Sequence, residues 1–251
     1  MTTDSAVHPS LSGRCRRWLA RQQQLVSFSA LTLAATLSPS CYDRQTRRSL
    51  AAVFCLGAWQ ILPSYLLASI LVGTVLTHIV AVTSASYGLS HLALEAVVRV
   101  LVLELVPLAA ALFVALRLAP VAMQHLARPP GAPPGYRQLL PFAVGSAGAV
   151  LVLAVLGGIS MLAVAYLVVY GVNQWALANY ARLIGQVFDP AMALVFTVKL
   201  LLFAGVVGLA PATVALEGGP TDPVLRQMRV MARLLALLIL IEAALLILPR
   251  L

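Results

Sequence analysis

The stretch Glu104-Leu-Val-Pro107 lies inside an apolar run over residues 92–123 that also carries Arg99 and Arg117. A run of this length is long enough to cross the hydrocarbon core of a bilayer as a helix. Charged side chains at bilayer depth cost free energy, and where they occur they usually face the interior of a helix bundle. The stretch therefore predicts a transmembrane helix whose charged residues have a structural or functional purpose.

The composition extends this prediction to the whole chain. Of its 251 residues, 61% are hydrophobic and only 10% are charged, whereas soluble domains have about 25% charged residues. The apolar runs lack the alternation of a membrane barrel. We therefore expect an all-α integral membrane protein with one membrane domain. The net charge of +9 comes almost wholly from arginine. We interpret these arginines as markers of the cytoplasmic segments, with binding of anionic lipid headgroups as a secondary role.

The chain divides into three parts. Residues 1–13 are polar and are predicted to be a disordered tail. Residues 14–48 are predicted to form a cytoplasmic interfacial helix, over 14–38, and a loop, because arginines surround Trp18 there. A true span over 14–38 is the alternative. Residues 49–251 are predicted to form the membrane domain.

Five transmembrane helices are predicted after a short leading helix that Pro63 separates from the first span. The spans cover about 61–83, 92–123, 139–171, 190–214 and 231–248. The segments between the later spans are a proline-rich loop at 124–138, an outside interfacial segment at 172–188 and a loop at 215–230.

Arginine is distributed unevenly over these connections. Only Arg182 and Arg250 fall on predicted outside segments. The predicted cytoplasmic segments hold Arg14, Arg16, Arg17, Arg21, Arg44, Arg47, Arg48, Arg128, Arg137, Arg226, Arg229 and Arg233. Because positive charge is retained on the cytoplasmic side, the amino terminus is predicted to be inside and the carboxyl terminus outside.

No catalytic or metal-binding pattern is present. The four histidines are scattered, the three cysteines lack metal or redox spacing, and there is no P-loop. The sequence therefore predicts no enzyme activity, no metal and no cofactor.

The intramembrane charges admit several interpretations. Glu95 and Arg99 can neutralise each other as an i,i+4 pair, and Arg117 and Lys199 can extend to the cytoplasmic boundary. For Glu104 three roles stay open: a structural ion pair, a place in a substrate cavity, and proton coupling. Its expected partner is Arg99 or a charge on another helix. The fifth span carries a further acid, Glu242.

The order of these motifs resembles that of the MlaE-like permeases of MCE-type lipid ABC transporters. That family has an Arg-Glu-Leu-Gly-Pro motif followed by Gly-Arg in its second membrane helix, which is similar to Glu104-Leu-Val-Pro107 and Arg117. The resemblance covers roughly residues 14–248. The further matching positions are Pro63 and Gly73, Tyr87-Gly88, Lys199, Phe203, Glu217-Gly218, Arg226 and Glu242.

The resemblance implies a permease subunit in the bacterial inner membrane that moves phospholipid or a related lipid. It implies a dimer with a lipid cavity between protomers, cytoplasmic ATPase subunits and a periplasmic MCE-domain protein. The lipid-binding residues would be Arg99, Glu104 and Pro107, with Arg99 bound to the headgroup phosphate and positioned by Glu104. Structural charges would be Glu95, Arg117, Lys199 and Glu242. Residues facing the ATPase would be Arg128, Arg137, Glu217 and Arg226.

The sequence departs from the family pattern at several positions. Leu103 occupies the position of the family's arginine, and the loop at 124–138 is short, proline-rich and without an acid. These departures favour a rival interpretation, a non-transporting permease-like partner that completes a heterodimer or anchors the MCE protein. A third interpretation, a proton-coupled carrier using Glu104 and Glu242, lacks the internal repeats that such carriers commonly have.

The arginine asymmetry generates a prediction about topology. A reporter fused at Leu251 should report the periplasm, and one inserted within 124–138 should report the cytoplasm, because positively charged segments are retained inside. Paired phosphatase and fluorescent-protein fusions measure this. A cytoplasmic carboxyl terminus would contradict the five-span topology.

Overall fold

The computed structural model describes residues 44–88, 95, 97–126, 136–216 and 223–247. All regular structure in these ranges is helical, and no strand occurs among them. Among the described residues, five helical stretches are long and apolar enough to cross a membrane. The predicted all-α membrane fold with five spans is confirmed. The predicted tail at 1–13 and the interfacial helix over 14–38 lie outside the described residues.

The helices are named here in chain order. α1 and α2 precede a π-helix, which continues into α3, and a short 3₁₀ turn at Gln174–Ala176 leads into α5. Their bounds are α1 Arg44–Ala58, α2 Leu62–Ser86, the π-helix Val98–Leu105, α3 Val106–Leu126, α4 Tyr136–Tyr170, α5 Leu177–Val187, α6 Pro190–Leu216 and α7 Pro223–Ile247.

The break between α1 and α2 lies at Trp59–Ile61 and not at Pro63. Pro63 is in the first turn of α2, where its missing N–H would have had no partner in the helix. The proline therefore lies in the first turn of α2, which begins at Leu62, and the turn at Trp59–Ile61 precedes the helix. α1 also begins earlier than predicted, at Arg44.

The π-helix was not predicted from the sequence. The N–H of Val106 bonds to the Leu101 carbonyl, five residues earlier, which is the wide winding of a π-helix. Pro107 follows directly. A proline cannot donate to the preceding turn, and its ring crowds the carbonyl four residues before it. The wider winding accommodates this ring and sets the direction of Glu104, three residues before the proline.

Two predicted loops are shorter than expected. The loop predicted at 215–230 is wrong for its second half, because α7 begins at Pro223, a position where proline favours helix initiation. α4 begins at Tyr136, directly after the glycine that ends the proline-rich run. Residues 127–135 and 217–222 lie outside the described residues.

α4 lies at the centre of the bundle and contacts α1, α2, α3 and α6. Glycines on its surface allow this close packing. Gly145 and Gly148 face Val53 and Phe54 of α1, and Gly157 faces the Tyr65 ring of α2. In membranes, small residues allow the backbones of two helices to approach closely, and the resulting van der Waals contacts stabilise the pair. The glycines of α4 therefore account for the tight contacts of the first two helices.

The segment predicted as interfacial, 172–188, contains α5. The Tyr180 hydroxyl donates a hydrogen bond to the Leu162 carbonyl at 2.7 Å, and its ring contacts Tyr166 and Tyr170 of α4. Burial raises the pKa of Tyr180 to about 12, with a smaller contribution from Tyr170. Tyr180 therefore remains a neutral donor that fixes α5 against the end of α4.

Two glycines of α6 generate a paired prediction. A methyl group on Gly208 would lie 2.7 Å from the Ala143 carbonyl oxygen of α4, whereas one on Gly205 would meet nothing within 4 Å. Gly208→Ala should lower the free energy of unfolding by about 1–3 kcal/mol because a backbone must shift. Gly205→Ala should be neutral or stabilising by about 0.5–1 kcal/mol because alanine favours helices. Unfolding in mixed micelles measures both, and equal effects would contradict this packing.

Candidate functional site

A cluster of three charged side chains around a buried lysine joins three helices of the bundle. Lys199 of α6 has only 3% of its side chain exposed, and its ammonium forms ion pairs with Glu104 of the π-helix and Glu242 of α7. The Nζ atom donates to Glu104 Oε2 and, at 2.7 Å, to Glu242 Oε1. We call these three residues the Lys199 cluster.

The Lys199 cluster satisfies a strong electrostatic requirement. A buried ammonium without partners would lose its hydration and gain nothing in return. Each helix supplies one charge, so the ion pairs form only when all three helices are packed together. The Phe203 ring lies 5.8 Å from Nζ and adds a cation–π contact. The cluster therefore couples the second candidate span to the last two.

The cluster contains two carboxylates and one ammonium. Glu242 has 16% of its side chain exposed and Glu104 has 37%. The second oxygen of Glu242, Oε2, is buried and has no hydrogen-bond partner among the described residues. Among the described residues, the two carboxylates of the cluster therefore offer more hydrogen-bond acceptors than the Lys199 ammonium satisfies.

Arg99 lies apart from the Lys199 cluster. Its guanidinium is exposed, and its one hydrogen-bond contact among the described residues is the Met192 sulfur, at 4.0 Å. Within the described part of the chain it forms no ion pair with Glu95 or Glu104. The expectation that Glu104 positions Arg99 is wrong, because the carboxylate pairs with the more deeply buried cation. The other alternative, a charge on another helix, is confirmed.

The remaining predicted charges lie in different surroundings. Glu95 and Arg117 are exposed, and Arg117 donates to Gln60 Oε1 at 3.4 Å. Lys199 does not extend to the boundary as one interpretation had it, because both of its partners lie inside the bundle. Pro107 is buried.

The residues predicted to face an ATPase are only partly described. Arg128 and Glu217 lie outside the described residues. Arg137 lies in α4 and Arg226 in α7. Among the described residues, no group of three or more His, Cys, Asp or Glu side chains could hold a metal ion.

One sequence signal could have identified the cluster. Lys199 is the only lysine of the chain, and it lies well inside an apolar run, where a cation needs an acidic partner. Only Glu104 and Glu242 are acids at comparable depth in other predicted spans. Comparing these three positions across the spans predicts that Lys199 pairs with Glu104 and Glu242. Examining each helix by itself favours Arg99 as the partner of Glu104.

The cluster generates a stability prediction. Lys199→Met leaves two adjacent carboxylates without their cation, and the free energy of unfolding should fall by about 3–5 kcal/mol. The triple variant Lys199→Met, Glu104→Gln, Glu242→Gln removes all three charges and should be more stable than Lys199→Met alone. Arg229→Met, at an exposed position, is the matched control and should change little. A fully stable Lys199→Met would contradict the role of the cluster.

Comparison with known proteins bears on the segment that carries this site. The family described as Permease MlaE matches residues 53–124, which run from within α1 through the π-helix and most of α3. No curated protein is similar enough to the chain to match it. The matched family is one of permeases, which are transport subunits. With five candidate spans among its described residues, the chain is a multi-pass membrane protein, and its residues 53–124 are similar to the Permease MlaE family.

Proposed function

We propose that this protein is the inner-membrane permease subunit of an MCE-type ABC transporter that moves phospholipid or a related lipid. Its substrate would pass between the inner membrane and a periplasmic MCE-domain protein. A separate cytoplasmic ATPase subunit would supply the energy. The amino terminus would be cytoplasmic and the carboxyl terminus periplasmic, as the arginine distribution favours.

The observation that carries this proposal is the Lys199 cluster. It links Glu104, which lies within the matched residues 53–124, to the last two spans. A permease must keep its helices in a defined arrangement while the apolar path between them changes shape. Ion pairs that need three helices at once provide such an arrangement. The family match suggests that the activity is transport. The Lys199 cluster supports this proposal because it holds the helices in a defined arrangement.

Arg99 is the residue we propose for headgroup binding. Its guanidinium is exposed and has no carboxylate partner among the described residues. A guanidinium binds phosphate through paired, charge-assisted hydrogen bonds. We propose that Glu104 and Pro107 contribute to the same lipid path indirectly, because both fix the π-helix on which Arg99 lies.

The lipid tails require an apolar surface. Large hydrophobic side chains on α2 are exposed in the single chain, among them Leu67 and Leu71, at 73% and 67%. Such a surface is expected to face lipid or a second subunit. We propose a dimer, either of two copies or with a second permease, that encloses the lipid path between protomers.

The proline-rich loop favours the rival function. Residues 127–135 contain Arg128, four prolines and no acid, a composition that disfavours a regular helix on which an ATPase could dock. A non-transporting permease-like partner would need no such helix. In that function the chain would complete a heterodimer or anchor the MCE protein.

A prediction about lipid binding follows from the exposure of Arg99. Arg99→Gln should reduce the phospholipid retained during purification about tenfold, because a charge-assisted hydrogen bond contributes about 1.5–3 kcal/mol. Mass spectrometry of extracted lipid measures this. Arg182→Gln, an exposed arginine of α5, is the control and should retain the parental amount. Equal lipid content in Arg99→Gln and the parent would remove Arg99 from the lipid path.

A prediction about the ATPase separates the two functions. Replacement of residues 129–135 by a Gly/Ser linker should weaken association with an ATPase only modestly, because the remaining contact would be basic and salt-sensitive. Purification from native membranes, with identification of the bound proteins, measures this in the parent and the linker variant. Binding in the parent and its complete loss in the variant would identify the loop as the main docking element and contradict the rival function.

A further inference from the structure

The charges of the Lys199 cluster do not balance. Glu104 and Glu242 contribute two carboxylates, whereas Lys199 contributes one ammonium. The side chain of Lys199 is 3% exposed and that of Glu242 is 16% exposed. A net charge enclosed by helices loses its hydration, and a buried ionisable group commonly becomes neutral instead. With both acids ionised, the cluster is therefore one positive charge short of neutrality.

The surroundings of the cluster contribute no second cation among the described residues. α3 and α6 pack against α7, and α3, α4 and α5 contact the π-helix. The other titratable or charged side chains described on these elements are Arg99, Arg117, Tyr166, Tyr170, Tyr180, Arg182, Arg229 and Arg233. Both ion pairs between described residues come from Lys199. Arg233 is nine residues before Glu242, about 13 Å along the axis of α7.

The two carboxyl groups of the cluster are neighbours. Glu242 Oε1 accepts a hydrogen bond from Lys199 Nζ at 2.7 Å, whereas Glu242 Oε2 is buried and has no partner among the described residues. The carboxyl groups of Glu242 and Glu104 also lie within hydrogen-bonding reach of each other. Two ionised carboxylates have no proton to donate, but a protonated carboxyl group donates through its O–H. The arrangement therefore has room for one proton between the two acids.

We propose that the Lys199 cluster is a proton-binding site that holds one proton on Glu242 Oε2. The resulting O–H group donates to the Glu104 carboxylate, and the Lys199 ammonium donates to both acids. Uptake forms an O–H bond with a proton from solvent, and release returns that proton to solvent, so no other reactant is needed. The occupied cluster has one negative and one positive charge and is neutral overall.

The unequal exposure of the two acids gives each a separate role. Glu104, at 37% exposed, is the member that solvent reaches, and Glu242 is the deeper one. Release of the proton leaves two carboxylates beside one ammonium, and like charges at close range repel. Because these acids lie on the π-helix and α7, the contact between the second and last candidate spans depends on pH. This inference goes beyond the lipid transport proposed above and does not require it.

Infrared spectroscopy tests the site in the full-length protein in micelles, without lipid substrate or ATPase. The carbonyl stretch of a protonated carboxyl group is separate from the carboxylate bands, and exposed acids are ionised at neutral pH. The parent should show this band at neutral pH. Glu242→Gln should remove it, and Glu104→Gln should remove it as well, because the remaining carboxylate then balances the ammonium. Glu95→Gln, at an exposed position, is the matched control and should retain the band.

The pH dependence of unfolding is the second readout. A folded chain that retains a proton which an unfolded glutamate releases binds more protons than the unfolded chain, so its stability falls as pH rises. Relative to Glu242→Gln, the folded-to-unfolded ratio of the parent should be constant below the range where an unfolded glutamate titrates. Above that range it should fall about tenfold per pH unit, until the folded site releases its proton. Asp189→Asn, at an exposed position, should keep the parental slope.

Three results would overturn the proposal. Absence of the band from the parent at neutral pH would show that both acids are ionised. Persistence of the band and of the slope in Glu242→Gln would place the proton elsewhere. Where Glu242→Gln does not fold, the parent is isotopically labelled at the side-chain carboxyl carbons of glutamate. A band that this labelling leaves unshifted would assign the proton to an aspartate, outside the cluster.

Discussion

The ammonium of Lys199 sets the constraint on which the packing of this bundle depends. It lies inside the helices with 3% of its side chain exposed, so it requires acidic partners, and it finds them on two other helices, at Glu104 and Glu242. A pair formed within one helix would hold that helix alone. Because the partners come from the π-helix and α7, the cluster holds the second, fourth and fifth candidate spans together.

The direction of Glu104 depends in turn on Pro107. The proline removes a donor and crowds the preceding turn, and the chain responds with a π-helix over Val98–Leu105. Wide helical winding of this kind often occurs at functional sites. Here the π-helix carries a partly buried carboxylate, Glu104, that fixes the bundle and an exposed guanidinium, Arg99, that is open to a ligand. The two charges of one short segment thus have separate functions in our account.

The sequence predicted much of this architecture but not its central contact. Apolar run lengths predicted the five spans because crossing a bilayer imposes a minimum length, and the break expected at Pro63 lies just before it, at Trp59–Ile61. The π-helix was not predicted, because hydrophobic periodicity assumes a uniform winding. The sequence did not decide whether Glu104 pairs with Arg99 or with a charge on another helix, because pairing between helices depends on how they pack. Side-chain depth, which distinguishes Lys199 from Arg99, is likewise a tertiary property.

The central claim is that Glu104 is coupled to Lys199 and not to Arg99. Two double-mutant cycles test it most directly, one combining Glu104→Gln with Lys199→Met and the other combining Glu104→Gln with Arg99→Gln, with the free energy of unfolding measured in mixed micelles. The first cycle should give a coupling of about 0.5–3 kcal/mol and the second should be additive within about 0.5 kcal/mol. A large coupling to Arg99 with additivity at Lys199 would contradict the account.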